Sequence, residues 1–119
     1  MPMRSLFVIL ALASLSTLCG CEAGYRVEGA VVDPSGSPIA GAEVSVLSDH
    51  GHPVRSGTTD GNGHFHLHGT GAVDEGSVLQ IRAPGRDPRT YSVSDACYRS
   101  FGHGDLGEPC PNGGPQIEL

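Results

Sequence analysis

The stretch VEGAVVDPSGSPIAGAEVSV, residues 27–46, determines the fold of this chain. Apolar residues alternate with other residues at both ends of the stretch, at Val27 and Val31 and again at Val44 and Val46. Side chains two positions apart in a β-strand share a face, so each end predicts a strand with one buried face. The proline and glycine residues between the two ends are typical of a turn.

The same alternation recurs along the rest of the chain, and turn residues separate the runs. Further strands are predicted around Phe65–Leu67, Leu79–Ile81, Tyr91–Val93 and Ile117–Leu119. The sequence Asp-Gly-Asn-Gly at residues 60–63 predicts a hairpin, since these residues tolerate the backbone angles of a tight turn. No long amphipathic helix is indicated, and short antiparallel strands at this spacing predict an all-β sandwich.

Three motifs in this chain, in order and spacing, resemble the carboxypeptidase regulatory-like domain. They are Val27-x-Gly29-x-Val31-x-Asp33, Gly36-x-Pro38-Ile39-x-Gly41-Ala42-x-Val44-x-Val46 and Thr59-Asp60-x-x-Gly63-x-Phe65-x-Leu67. The resemblance implies a seven-stranded antiparallel sandwich of the transthyretin-like, or prealbumin-like, type over residues 25–119. It also implies a module without peptidase activity, because that family's zinc ligands and catalytic glutamate belong to a different domain. Residues 94–114 depart from the family pattern and are expected to form an inserted loop before the last strand.

The first twenty residues have the features of an export signal. Arg4 precedes an apolar run from Leu6 to Leu18, which is too short to span a bilayer as a stable helix. The run ends in Leu18-Cys19-Gly20-Cys21, which resembles the bacterial lipoprotein box. That resemblance implies removal of residues 1–20, lipidation of Cys21 and a tether over residues 21–24. The alternative is an ordinary secretory signal that is cut nearby and leaves Cys21 free for a disulfide.

The residue after the lipidation position and the overall charge indicate the surroundings of the protein. Glu22, where an aspartate would favour retention in the inner membrane of enteric bacteria, favours the outer membrane. The formal net charge is −6 and there is no lysine, which argues against nucleic acid and anionic lipid headgroups as partners. A protein or another component of the cell envelope is the expected partner.

Cys97 and Cys110 are the two cysteines that remain in the exported domain. An even pair in an oxidising compartment predicts a disulfide. The bridge would close a short loop, which is worth about 3 kcal/mol on the chain-entropy model. A metal site with two thiolates, or two free thiols, are the alternatives.

The strand around Phe65 carries histidines at every second position. His64, His66 and His68 share a face at a spacing that suits Zn²⁺ or Cu²⁺, and His50 and His52 could complete a site from a nearby loop. The alternative is a solvated polar face opposite the buried Phe65. Residues 60–63 also resemble part of a calcium loop, but a plain turn explains them as well. No other cofactor is expected.

The inserted segment contains residues of the kind that protein-recognition loops use. Tyr98, Arg99, Phe101 and His103 are candidates for contact with a partner. Alternatively, the two aromatic residues cover one end of the sandwich.

No catalytic residue is predicted. The second possibility for the function is a metal-binding lipoprotein that uses the strand of His64, His66 and His68. A transthyretin-like hydrolase is the third possibility, but the terminal site motif of that family, which is similar to Tyr-Arg-Gly-Ser, is missing from residues 116–119. The sequence therefore predicts a membrane-anchored, non-catalytic binding or structural module of the cell envelope.

Overall fold

A computed structural model describes residues 24–71, 73–102 and 109–119 of the chain. The expected signal peptide, Cys21 and His103 lie outside these residues. The described part contains eight strands: β1 (Gly24–Val32), β2 (Glu43–Leu47), β3 (Pro53–Thr58), β4 (His64–Thr70), β5 (Val78–Arg82), β6 (Arg89–Ser92), β7 (Cys97–Phe101) and β8 (Gln116–Glu118). Two single 3₁₀ turns lie at Val93–Asp95 and Pro111–Gly113. Among the residues so described, there is no helix with the length and apolar character needed to cross a membrane.

The strands form two four-stranded sheets. In the first sheet, β1 lies at the centre with β4 antiparallel along one edge. The other edge of β1 is shared, because β7 pairs antiparallel with its first half and β8 pairs parallel with its last residues. The second sheet has the order β3-β2-β5-β6, with all neighbours antiparallel.

The expectation of seven antiparallel strands is therefore wrong in the number of strands and in the direction of one of them. There are eight strands in the described residues, and β8 runs parallel to β1. Strand β3 escaped the sequence analysis because it is an edge strand whose residues are nearly all exposed, so it shows no apolar alternation. It begins at Pro53, a residue that sheets accept at strand starts and edges.

The described residues of the segment 94–114 also contain a strand, where an inserted loop was expected. Strand β7, with residues Cys97–Phe101, lies within it and pairs with β1 from Gly24 to Glu28. Its short run mixes polar and apolar residues without a clear period, and its place in the sheet comes from β1, far away in the sequence. The first residue of β1 is Gly24, which the sequence analysis had assigned to the tether.

Residues 60–63 form a turn, but the predicted hairpin is wrong. The turn leads from β3 in the second sheet to β4 in the first, so the two flanking strands are not partners in one ladder. The carboxylate of Asp60 accepts hydrogen bonds from the backbone N–H groups of Asn62 and His64. Gly63 has a φ of 78°, a left-handed conformation that favours glycine.

The core lies between the two sheets. Its members are the inward-facing residues of both, including Val27, Val31, Val44, Val46, Phe65, Leu67, Leu79 and Ile81. The alternation in the sequence assigned each of these residues to the buried face, and all are buried. The ring of Phe65 lies across Gly29, where an added Cβ atom would be 2.8 Å from Cζ of the ring. The glycine in the middle of β1 thus makes room for the largest core side chain of β4.

Candidate functional site

The outward face of the first sheet carries most of the residues that sequence reasoning singled out. Cross-strand pairing aligns Arg26 with His68 on one side and Arg99 on the other. The next row aligns Glu28 with His66 and Cys97. These side chains share one face because residues two apart in a strand point the same way. We call this surface, formed by Arg26, Glu28, His66, His68 and Arg99, the charged face.

Glu28 lies at the centre of the charged face. One carboxylate oxygen, Oε2, accepts the backbone N–H of Cys110 at 2.9 Å. The other, Oε1, lies 3.9 Å from Nε of Arg26 and 3.6 Å from Nε2 of His66. Only 13% of the Glu28 side chain is exposed. A carboxylate so far removed from water needs polar partners, and the N–H of Cys110 and the nearby guanidinium of Arg26 provide a donor and a positive charge.

Sequence reasoning did not select Arg26 and Glu28, although the signal was present. Both residues alternate with the buried Tyr25 and Val27 and therefore had to face outward. What the sequence did not contain is the identity of their neighbours, since Cys110 is 82 positions away from Glu28.

The histidines of β4 divide into a pair and a single residue. The ring centroids of His66 and His68 are 5.1 Å apart, with an angle of 32° between the ring planes. His64 lies farther along the strand beside Gly113, where an added Cβ atom would be 2.6 Å from its Nδ1. A shallow groove of about 240 Å³ runs between this residue and the edge of the charged face and is lined by Glu28, Asp60, His64, Phe65, His66 and Gly113.

The other two histidines of the expected metal site lie in a different part of the molecule. His50 and His52 occupy the exposed turn between β2 and β3, in the second sheet. In residues 24–71, 73–102 and 109–119, no three His, Cys, Asp or Glu side chains are grouped as a metal site. The five histidines therefore do not converge on one position.

The Asp60 carboxylate is hydrogen-bonded to the backbone of its own turn. The carboxylate oxygen Oδ1 of Asp60 accepts from the N–H groups of Asn62 and His64 at 2.9 and 3.0 Å. This arrangement is a side-chain-stabilised turn, and it supports the plain-turn interpretation of residues 60–63 over a calcium loop.

The predicted disulfide between Cys97 and Cys110 is confirmed. It joins the first residue of β7 to the residue before the second 3₁₀ turn, with the two Cα atoms 6.2 Å apart. The bridge lies beside Glu28, since Cys97 is its cross-strand partner and Cys110 its hydrogen-bond donor. The segment that leads to β8 is thus attached to the central strand through Glu28 and to β7 through the disulfide.

The residues proposed for partner contact have different surroundings. Tyr98 packs against the core, and its hydroxyl donates to the carbonyl of Val73 at 3.0 Å. Burial, followed by the negative charge of Asp74, raises the pKa of this phenol. These contacts support the alternative that Tyr98 covers one end of the sandwich.

Arg99 and Phe101, in contrast, lie on the outward face. Phe101 covers Gly24, whose missing side chain leaves space for the ring. Arg99 is paired across the strands with Arg26, and its Nε is buried without a hydrogen-bond partner among the described residues. Of the predicted contact residues that the structure describes, Arg99 is the one that belongs to the charged face.

Comparison with known protein families gives a match. The family model for the carboxypeptidase regulatory-like domain matches residues 26–96, which run from the third residue of β1 through β6 and the first 3₁₀ turn. No curated protein matches the chain. The matched residues end just before Cys97, so β7, the disulfide and β8 lie beyond them.

Proposed function

We propose that this chain, which belongs to the carboxypeptidase regulatory-like domain family, is a non-catalytic binding or structural module that a lipid on Cys21 anchors in the cell envelope. The observation that carries the binding role is the charged face, where Arg26, Glu28 and Arg99 are held on the central strand and its disulfide-bonded neighbour. Such preordered charged groups reduce the entropy that is lost when a partner binds.

The finer fold assignment rests on the sequence motifs. We place the sandwich in the transthyretin-like class because the three motifs of that resemblance occur in order between Val27 and Leu67. Two four-stranded sheets around one core are compatible with this class. The segment beyond the family match contributes β7 and β8 to the first sheet.

The anchor is supported by the export signal and by the short distance to the domain. If Cys21 is the lipidated terminus, only Glu22 and Ala23 separate it from β1. Three Cα steps of about 3.5 Å reach at most about 11 Å. The end of the sandwich where Gly24 pairs with Thr70 and Phe101 would therefore face the membrane, which we propose to be the outer membrane.

The anchor is tested by replacing Cys21 with serine and fractionating cells. We expect wild-type protein in the membrane fraction and Cys21→Ser protein as a soluble or unprocessed species. The double variant Cys97→Ser/Cys110→Ser is the matched control, because it removes two cysteines of the folded domain and leaves the lipid site intact. Membrane association of Cys21→Ser equal to that of wild type would show that Cys21 does not carry the anchor.

The binding role is tested by photocrosslinking in intact cells. A photoreactive amino acid at Arg99 samples the charged face, and the same amino acid at Thr90 samples the outward face of the second sheet. We expect a discrete crosslinked species from position 99 and none from position 90. Equal products from both positions, or none from either, would contradict a partner site on the charged face.

A further inference from the structure

The two imidazoles of His66 and His68 lean toward each other. Residues two apart in an antiparallel strand are separated by about 6.8 Å along the backbone, at about 3.4 Å per residue. The ring centroids are closer than this, at 5.1 Å. The side chains therefore converge above the strand instead of standing parallel to each other.

This separation is the one that two imidazoles adopt around a single metal ion. A metal–nitrogen bond of about 2.0–2.1 Å, plus about 1.1 Å from the nitrogen to the ring centre, puts each centroid about 3.2 Å from the ion. Two such rings are about 4.5 Å apart at a right angle and about 5.2 Å apart at a tetrahedral angle. The observed 5.1 Å lies within that range, and an approach of the rings by about 0.6 Å would give the right angle that tetragonal Cu²⁺ prefers.

Glu28 adds a carboxylate at the side of this pair. Its Oε1 lies 3.6 Å from Nε2 of His66, while its Oε2 is held by the N–H of Cys110. Histidine ligands in metal sites commonly direct their second ring nitrogen toward a carboxylate, which fixes the ring and its tautomer. With Nε2 of His66 directed toward Glu28, its Nδ1 is the nitrogen available to a metal.

The number of ligands selects the ion. Structural zinc sites use four protein ligands and catalytic zinc sites three, whereas the described residues contain no cluster of three. Cu²⁺ has the highest affinity of the divalent first-row ions for a given set of nitrogen ligands and accepts water at the remaining positions. We propose that His66 and His68 form a two-imidazole Cu²⁺ site on the charged face, with Glu28 as the positioning residue for His66.

This assignment is narrower than the five histidines that the sequence suggested. His64 is on the same strand and the same face but lies against Gly113, and His50 and His52 lie in a turn of the second sheet. His64 is therefore the matched control, because its replacement removes an imidazole from β4 without touching the pair.

The experiment is a calorimetric titration of the acylated, untagged chain with Cu²⁺ in detergent. We expect micromolar binding, a loss of at least about tenfold in His66→Ala and in His68→Ala, and a change of less than about twofold in His64→Ala. Glu28→Gln keeps an oxygen for the Cys110 N–H but removes the charge, and it should weaken binding by about tenfold. Thermal melts of each apo variant check that the fold is retained.

A second readout locates the ion. In spectra of protein with ¹⁵N-labelled histidine, substoichiometric Cu²⁺ should broaden the ring signals of His66 and His68 before those of His64. The site is disproved if His64→Ala weakens binding as much as His66→Ala does, or if wild-type binding is weaker than about 0.1 mM. Unchanged affinity in Glu28→Gln would overturn the positioning role of the carboxylate.

Discussion

Glu28 and Cys110 are joined by a hydrogen bond of 2.9 Å from the backbone N–H of Cys110 to the Glu28 carboxylate. The two residues are 82 positions apart in the chain. The bond attaches the segment before β8 to the central strand of the first sheet, next to the disulfide from Cys97. The Glu28 carboxylate therefore belongs to the charged face and also holds the segment that leads into β8.

Replacing Glu28 with alanine should destabilise the domain. The N–H of Cys110 would lose its acceptor in a partly buried position, and Arg26 would lose the nearby negative charge. We expect a loss of about 1–3 kcal/mol in the free energy of unfolding, measured by urea denaturation. Glu28→Gln retains an acceptor oxygen and should lose clearly less; equal losses would show that the hydrogen bond contributes nothing.

Reduction of the Cys97–Cys110 disulfide should lower the melting temperature. The bridge joins residues separated by 13 positions, and a loop of this size contributes about 3 kcal/mol on the chain-entropy model. In a domain of this size we expect the melting temperature to fall by about 10 °C or more. Thermal melts monitored by circular dichroism, with and without dithiothreitol, measure this change. The double variant Cys97→Ser/Cys110→Ser should melt at the lower temperature under both conditions. A wild-type melt that dithiothreitol does not move would refute this stabilising role.

Gly29→Ala should be costly although it adds a single methyl group. The new Cβ atom would lie 2.8 Å from the Phe65 ring and 3.3 Å from the carbonyl oxygen of Pro115. We expect a loss of about 1–3 kcal/mol in unfolding free energy from overpacking. Gly61→Ala is the control, because its Cβ atom would meet nothing within 4 Å. If the two substitutions change the free energy of unfolding equally in urea denaturation, the close approach of Phe65 does not prevent a larger side chain at position 29.

Alkaline pH should destabilise the protein through Tyr98. Burial raises the pKa of Tyr98 above its ordinary value of 10.0, and Asp74 adds to the shift. At pH values below 10, the phenol is neutral in both states and its contribution to stability is fully present. As the pH rises above 10, the phenol ionises first in the unfolded chain. The contribution to stability therefore decreases until the pH has passed the higher pKa of Tyr98 in the folded protein.

The variant Tyr98→Phe isolates that effect, because it removes the ionisable hydroxyl and retains the ring. Urea midpoints measured from pH 9 to pH 11 should fall more steeply for wild type than for Tyr98→Phe. The variant should also be less stable at pH 9, since the hydroxyl no longer donates to Val73. Parallel curves for the two proteins would rule out the contribution of the raised pKa.

The strands that the sequence revealed are those with one buried face. Phe65 and Leu67 alternate with histidines, and Leu79 and Ile81 with polar residues, so burial produced a pattern that could be recognised. Strand β3 lacks that pattern because an edge strand with exposed residues is held mainly by backbone hydrogen bonds to its neighbour. Such bonds impose few requirements on side chains, and local sequence therefore gives little evidence of them.

The alternation by itself determined which residues point into the core and which point outward, because the direction of a side chain in a strand depends on its position along the strand. It therefore assigned His66 and His68 to the surface, and the even pair of cysteines in a domain that was expected to be exported predicted the Cys97–Cys110 bridge. Only the tertiary structure decided that Glu28 lies between His66 and Cys97, and that β7 and β8 share one edge of β1. These neighbours are far apart in sequence, and contacts between distant segments depend on how whole strands pair, which no local pattern specifies.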